Sequence, residues 1–238
     1  MTIELINVTK KVRLGPIRTT YSDLNIRIEQ KARMAFLAHK SAGIESILNL
    51  ICASDAPDSG RILRSHSISW VIPDAGFIHK HLSLAAAARF IARLYEVDEA
   101  EYLAKVSQMA DIGDAIDIRA ERCPKDLQAR FVFSLGVCLP FDQYIFGSLG
   151  GKADREQRAA ILDELCQRSG ILLITSDVKA AQQFCDQAYV FDGTGATYFD
   201  DMEAAAEFFS GVAGEDDVQA DEFFDADPDL QDMVNMDI

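Results

Sequence analysis

Residues 35–48 read AFLAHKSAGIESIL: an apolar run, a stretch of small and polar residues, then a helix-like pattern. That arrangement suits a phosphate-binding loop between a strand and a helix. Such a loop cradles phosphates on backbone N–H groups, with a lysine reaching the outer phosphates and a hydroxyl on Mg²⁺. The lysine should follow Gly43, but Ile44 stands there, and Glu45 stands where Ser or Thr is needed. A carboxylate about 4 Å from one phosphate charge costs roughly 1 kcal/mol in water and about 4 kcal/mol at an effective dielectric of 20. Glu45 also has a constructive reading. In the first turn of a helix an acid complements the dipole by about 0.3–1 kcal/mol, and it could act as a built-in anion in place of phosphate.

Two other stretches carry reactive residue types. FGSLGG, at 146–151, superficially offers a serine nucleophile. The nucleophile elbow places its first glycine two positions before the serine, whereas Gly147 adjoins Ser148, and no histidine follows His81 to complete a triad. His79 and His81 flank Lys80 and could give two metal ligands. With no third Cys or His nearby an exposed loop is expected there, and no metal site. Cys52, Cys123, Cys138, Cys166 and Cys185 are scattered without a CxxC pair, as in a chain with reduced thiols.

The 238 residues, 49% of them apolar, are enough for one sizeable α/β domain with a full core. No run approaches the ~20 apolar residues of a membrane span, and the start, MTIELINVTKK, has no apolar core of a signal peptide. The net charge of −15 is uneven: residues 215–238 hold ten acids and no Lys or Arg, leaving 28 acids against 23 bases before them. Neither part favours nucleic acid, which rewards a basic surface. The tail mixes its acids with Phe223, Phe224, Leu230, Met233, Val234 and Met236. That composition suits a disordered segment that orders on a basic partner; a purely solubilising tail and a self-contact with the body's bases are the alternatives.

The elements that must position the loop follow from periodicity. Residues 2–8 and 24–28 alternate and read as a hairpin-like pair of strands, and 33–37 as a short apolar strand into the loop. A helix is expected from Ile44 to Cys52, strands at RILRS and SISWVI, and helices at 82–95, 98–110 and 124–138. Residues 143–147 and 171–175 read as buried parallel strands with a helix at 153–168 between them, followed by a helix at 178–186, two strands around a Gly turn in QAYVFDGTGATYFD, and a last helix at 201–210. Trp70 is expected in packed core. The alanine-rich LAAAARF fits a close helix–helix contact or simple helix propensity. The alternation gives an α/β fold with a mostly parallel sheet, an antiparallel N-terminal β part and a helical subdomain at about 82–138. The domain spans 1–212, with 213–238 as the acidic tail.

In that order of elements the sequence resembles the nucleotide-binding subunits of ABC transporters, nearest those that export capsular polysaccharides. The resemblance runs from about Ile3 to Phe208 and rests on NVTKKVR, LNIRIE, PDSGRI, SISW, FIARLY, FDQYIF and FCDQAYVF in sequence. It implies a P-loop NTPase fold and a cytosolic subunit, peripheral on the inner face of the membrane, that docks on a permease and dimerises head to tail with itself or another ATP-binding subunit.

The resemblance also locates the family's chemistry, and finds it altered. The loop G-x-x-x-x-G-K-S falls on Ala38, His39, Lys40, Ser41, Ala42, Gly43, Ile44 and Glu45, with Ser46 keeping a hydroxyl about 100° further round the helix. The strand-end Asp and Glu fall on Gly147 and Ser148, the signature Ser-Gly-Gly on Pro124, Lys125 and Asp126, and the switch histidine on Asp177. The adenine-stacking aromatic falls near Val12 and the lid glutamine at or beside His79. Mg²⁺ loses its protein ligands, and Glu45, Asp126 and Asp177 would all face an anion. These losses imply a degenerate, non-hydrolysing subunit with a structural or regulatory role in export and no required cofactor, weak Mg-ATP binding being left open. An ATPase with a rearranged site and a soluble scaffold acting through the acidic tail are the other readings.

Overall fold

The computed structural model describes residues 1–14, 17–39, 42–73, 78–147 and 155–212. Its first strands arise from the alternation noted above. Ile3, Leu5, Val8 and Val12 on β1 (Thr2–Leu14) and Tyr21, Leu24, Ile26 and Ile28 on β2 (Ile17–Glu29) are all buried, and the two strands pair antiparallel. Both run beyond the expected 2–8 and 24–28. Register shifts between Leu5 and Val8 and between Val8 and Lys10, with Asn7 at φ 49°, break the period of two that marks a strand in sequence.

β3 (Arg33–Ala38) follows and is buried from Met34 onward. The loop after it leads into α1 (Ile44–Ile51), and β4 (Ser59–Arg64) returns to pair with β1, giving a three-stranded sheet in the order β2-β1-β4.

The second sheet has six strands. β5 (Ile68–Ile72), β6 (Gln143–Phe146), β7 (Gly170–Thr175), β8 (Gln187–Phe191) and β9 (Ala196–Phe199) join β3 in the order β5-β6-β7-β3-β8-β9. β6, β7, β3 and β8 run parallel, and β9 turns back antiparallel on β8. The near-continuous apolar runs of β6 and β7 reflect burial on both faces. Trp70 departs from its expected place: it is half-buried, its ring edge-on to Phe141 at 5.9 Å. α5 (Arg155–Arg168), α6 (Val178–Phe184) and α7 (Met202–Val212) complete this part of the chain.

Two compact units result, one taking Met1–Val71 and the chain from Phe141 through the last described residue, the other taking Ile72–Pro140. The second unit is helical. α2 (Leu84–Leu94) is capped by Ser83 Oγ, which accepts from the Ala86 amide at 3.2 Å, and α3 (Glu99–Met109) by Asp98, which accepts from Glu101 at 2.8 Å. Two short 3₁₀ turns lead to α4 (Lys125–Val137). Tyr102 donates its hydroxyl to the Leu135 carbonyl at 2.6 Å and ties α3 to α4. Ala85, Ala87, Ala88 and Ala92 are buried, and α2 packs on α3 and α4, so the alanines of LAAAARF serve close packing.

Candidate functional site

Three neighbouring parallel strands bring most of the candidate positions of the first unit to one edge. Leu37 of β3 pairs with Thr175 of β7, and Leu173 of β7 with Phe146 of β6. His39, Ala42 and Gly43, Asp177 and Gly147, which lie just beyond those strands, therefore share the carboxyl edge of the sheet, where ligands of open α/β sheets bind. Asp126 belongs to the other unit. Lys40, Ser41 and Ser148, like the acidic tail 213–238, lie outside the described residues.

The described residues of the loop are paired within the chain at several points. Ala38, at 2% exposure, pairs with Phe191 of β8. The Ala42 amide donates to the His39 carbonyl at 2.9 Å, and the Ala42 carbonyl accepts from the Tyr21 hydroxyl at 2.5 Å. Gly43 takes φ 67°, a left-handed conformation that suits glycine, and leads into α1 without a side-chain cap. Ile44 has no exposed surface and packs in the core that also holds Tyr21, Phe36 and Phe191. Glu45 is exposed in the first turn of α1, while Ser46 is half-buried and its amide donates to the Gly43 carbonyl at 3.2 Å. Two of the amides around the loop are thus already paired within the chain.

Asp177 caps α6: its Oδ1 accepts from the Ala180 amide at 3.1 Å, and its own amide donates to Thr175 Oγ1 at 2.9 Å. Gly147 is buried at the end of β6. Asp126 is exposed in the first turn of α4, with Arg130 one turn on at 4.0 Å. Val12 is buried at 2% exposure on β1, so it offers no open face for a base. His79 and His81 are exposed, as the loop reading expects; His81 Nδ1 lies 2.9 Å from Glu121 Oε2. Among the described residues no three His, Cys, Asp or Glu side chains converge as metal ligands.

Two residues at this edge escaped the sequence reading. Tyr21 is fully buried; burial, and then the charge of Asp192, push its hydroxyl well above the ordinary tyrosine range, so it remains a donor. Asp192 follows β8. Its burial opposes ionisation, but the amides of Thr194 and Gly195, at 2.8 and 2.7 Å, together with the Thr194 hydroxyl, outweigh it and hold the carboxyl below its usual range. Thr19 donates to the Gly193 carbonyl at 2.8 Å and fastens that turn to β2. The sequence signal was slight: a Tyr on the inward face of a strand, and an Asp before Gly-Thr-Gly.

Comparison with known proteins decides the family. No protein-family model matches the chain. The chain is 30% identical over 195 residues to the polysialic acid transport ATP-binding protein KpsT of Escherichia coli, covering 79% of this chain and 87% of that one. The chain belongs to the ABC-type ATP-binding proteins of capsule polysaccharide export. Two further relatives are the capsule polysaccharide export ATP-binding protein CtrD of Neisseria meningitidis serogroup B, 26% identical over 82% of this chain and 92% of CtrD, and the ATP-binding protein BexA of Haemophilus influenzae, 26% identical over 87% and 98%. Solved structures bear out the α/β, P-loop-type fold. An ATP-binding subunit of an ABC transporter superposes with a TM-score of 0.73 at 16% identity, covering 90% of this chain and 95% of that one. The dimeric ATP-binding cassette MJ0796, bound to ADP and Pi, does so at 0.69 and 13%, covering 82% and 96%.

Proposed function

We propose that this chain is a non-hydrolysing subunit of a capsule polysaccharide exporter. It would dock on a membrane permease at the cytoplasmic face and pair with a second ATP-binding subunit, its own nucleotide site having become structure. One observation supports the reading: among the described residues of the loop after β3, Ile44 lies in the core, and the Ala42 amide and carbonyl are paired with His39 and Tyr21. Family membership supplies the export context. Among the described residues no helix is long and apolar enough to cross a membrane, so a permease would have to supply the span.

The groups present suit Mg-ATP poorly. A phosphate would meet the exposed Glu45 where the family presents a hydroxyl, and it would find no cation at Ile44. Asp177 places a carboxylate beyond β7, and Gly147 offers Mg²⁺ no side-chain ligand. Each unfavourable carboxylate contact is worth about 1–4 kcal/mol between water and partly buried conditions, enough in combination to weaken binding by orders of magnitude.

The test is co-expression of the full chain with the permease of a capsule exporter. Co-purification with the permease, and no Mg-ATP turnover by the purified chain, are expected. Turnover by the pure chain would overturn the non-hydrolysing role, and failure to recover the permease would overturn the docking role.

A further inference from the structure

α7 packs through Met202, Ala205 and Phe209, which fall at i, i+3 and i+7 and are buried, while Glu203, Ala204, Glu207 and Phe208 are exposed. Asp201 secures its start, accepting from the Ala204 amide at 2.9 Å through its side chain and from the Ala205 amide at 3.2 Å through its carbonyl. The last turn is held more lightly. Ser210 and Gly211 are exposed, a Cβ added at Gly211 would meet nothing within 4 Å, and Phe209 is the buried residue of that turn. The Phe209 ring lies flat on the imidazole of His39, the first residue beyond β3, with 4.4 Å between centroids and 10° between planes. A chain of direct contacts then runs from α7 to β2: Phe209 stacks on His39, the His39 carbonyl accepts from the Ala42 amide at 2.9 Å, and the Ala42 carbonyl accepts from Tyr21 at 2.5 Å.

We propose that α7 is a strap on the loop after β3, fastened by Phe209 on His39: with the stack made the loop is held, and with the last turn of α7 lifted it is released. Phe209 is thereby a positioning residue that acts on the loop through His39. Tyr21 holds the loop at Ala42 from a buried strand, whereas Phe209 holds it at His39 from a helix end, and helix ends open locally far more readily than core strands. The strap is therefore the hold that yields first, and whatever lifts the last turn of α7 frees the loop. The inference rests on the proposed reading of this loop as a former nucleotide site only for its meaning; the contacts stand without it.

The test is hydrogen exchange of the full chain without nucleotide, so the strap stands or falls separately from the non-hydrolysing role. In Phe209→Ala, exchange of the hydrogen-bonded Ala42 and Ser46 amides should rise about threefold to tenfold, as loss of one aromatic pair implies, with the amides of β6 and β7 unchanged. His39→Ala, at a half-buried position, should raise exchange at residues 209–212 by a similar factor, because coupling between two sites is reciprocal. His39→Phe keeps a flat ring against Phe209 and should return the last turn of α7 to wild-type rates. Unchanged loop exchange in Phe209→Ala would overturn the strap, and so would a rise spread equally over the sheet, which would mark Phe209 as a core residue alone. A His39→Phe chain that exchanges like His39→Ala would overturn it as well, and that comparison decides should Phe209→Ala fail to fold.

Discussion

The hydroxyl of Tyr21, on β2, donates to the carbonyl of Ala42, in the loop after β3, at 2.5 Å. The antiparallel sheet thereby holds the loop that the proposed function places at the former nucleotide site. Tyr21→Phe leaves that carbonyl buried and unpaired, and should cost about 1–3 kcal/mol in denaturant unfolding. The raised ionisation of Tyr21 fixes the pH dependence. A neutral phenol favoured by the fold contributes fully below pH about 10 and is lost as pH rises above it. The wild type should lose more stability than Tyr21→Phe on the alkaline side.

Ile44 is a core residue at the start of α1. Ile44→Leu should cost under about 1.5 kcal/mol. Ile44→Lys brings a charge into that core and should cost on the order of 3 kcal/mol or more, read from thermal or urea unfolding. Placing a lysine at Ile44, as the proposed site mapping would, is thus a stability problem first, and an Ile44→Lys chain as stable as wild type would show the side chain turning toward the loop.

Asp177 accepts from the Ala180 amide as the N-cap of α6. Asp177→Ala should lose about 1 kcal/mol and Asp177→Asn a small part of that, since Asn caps nearly as well. Urea unfolding of the two variants separates a cap from a residue whose charge alone matters.

Asp142 is an acid-side counterpart. The Ser67 hydroxyl and amide, at 2.7 and 2.9 Å, and Gln30, at 2.9 Å, hold its carboxyl below the usual range. A depressed carboxyl contributes above its unfolded value of about 3.9 and is lost as pH falls through the folded one. Asp142→Asn should be less stable than wild type at neutral pH, with the gap closing below pH about 4.

Most elements of the fold were legible because their apolar periods were clean: β3, β6 and β7 as buried runs, α2 as a helix with an alanine face. β1 and β2 were cut short in the reading because the shifts around Val8 scramble the alternation. At the site, the resemblance sets Ile44 and Glu45 where a lysine and a hydroxyl residue would be expected, but says nothing of their surroundings. The burial of Ile44 and the reach of Tyr21 across to Ala42 are tertiary facts, set by how one sheet packs over the other's loop. Asp177 carried a readable signal, an Asp just ahead of a helix, which comparison with a histidine position obscured.

A subunit whose nucleotide site has become structure should not bind nucleotide. Isothermal titration of the full chain with Mg-ATP, at concentrations to about a hundredfold above micromolar, measures it directly. No saturable heat is expected. Saturable binding at micromolar strength would mean that the loop opens from Tyr21 and Ile44 to accept phosphate, and would contradict that expectation.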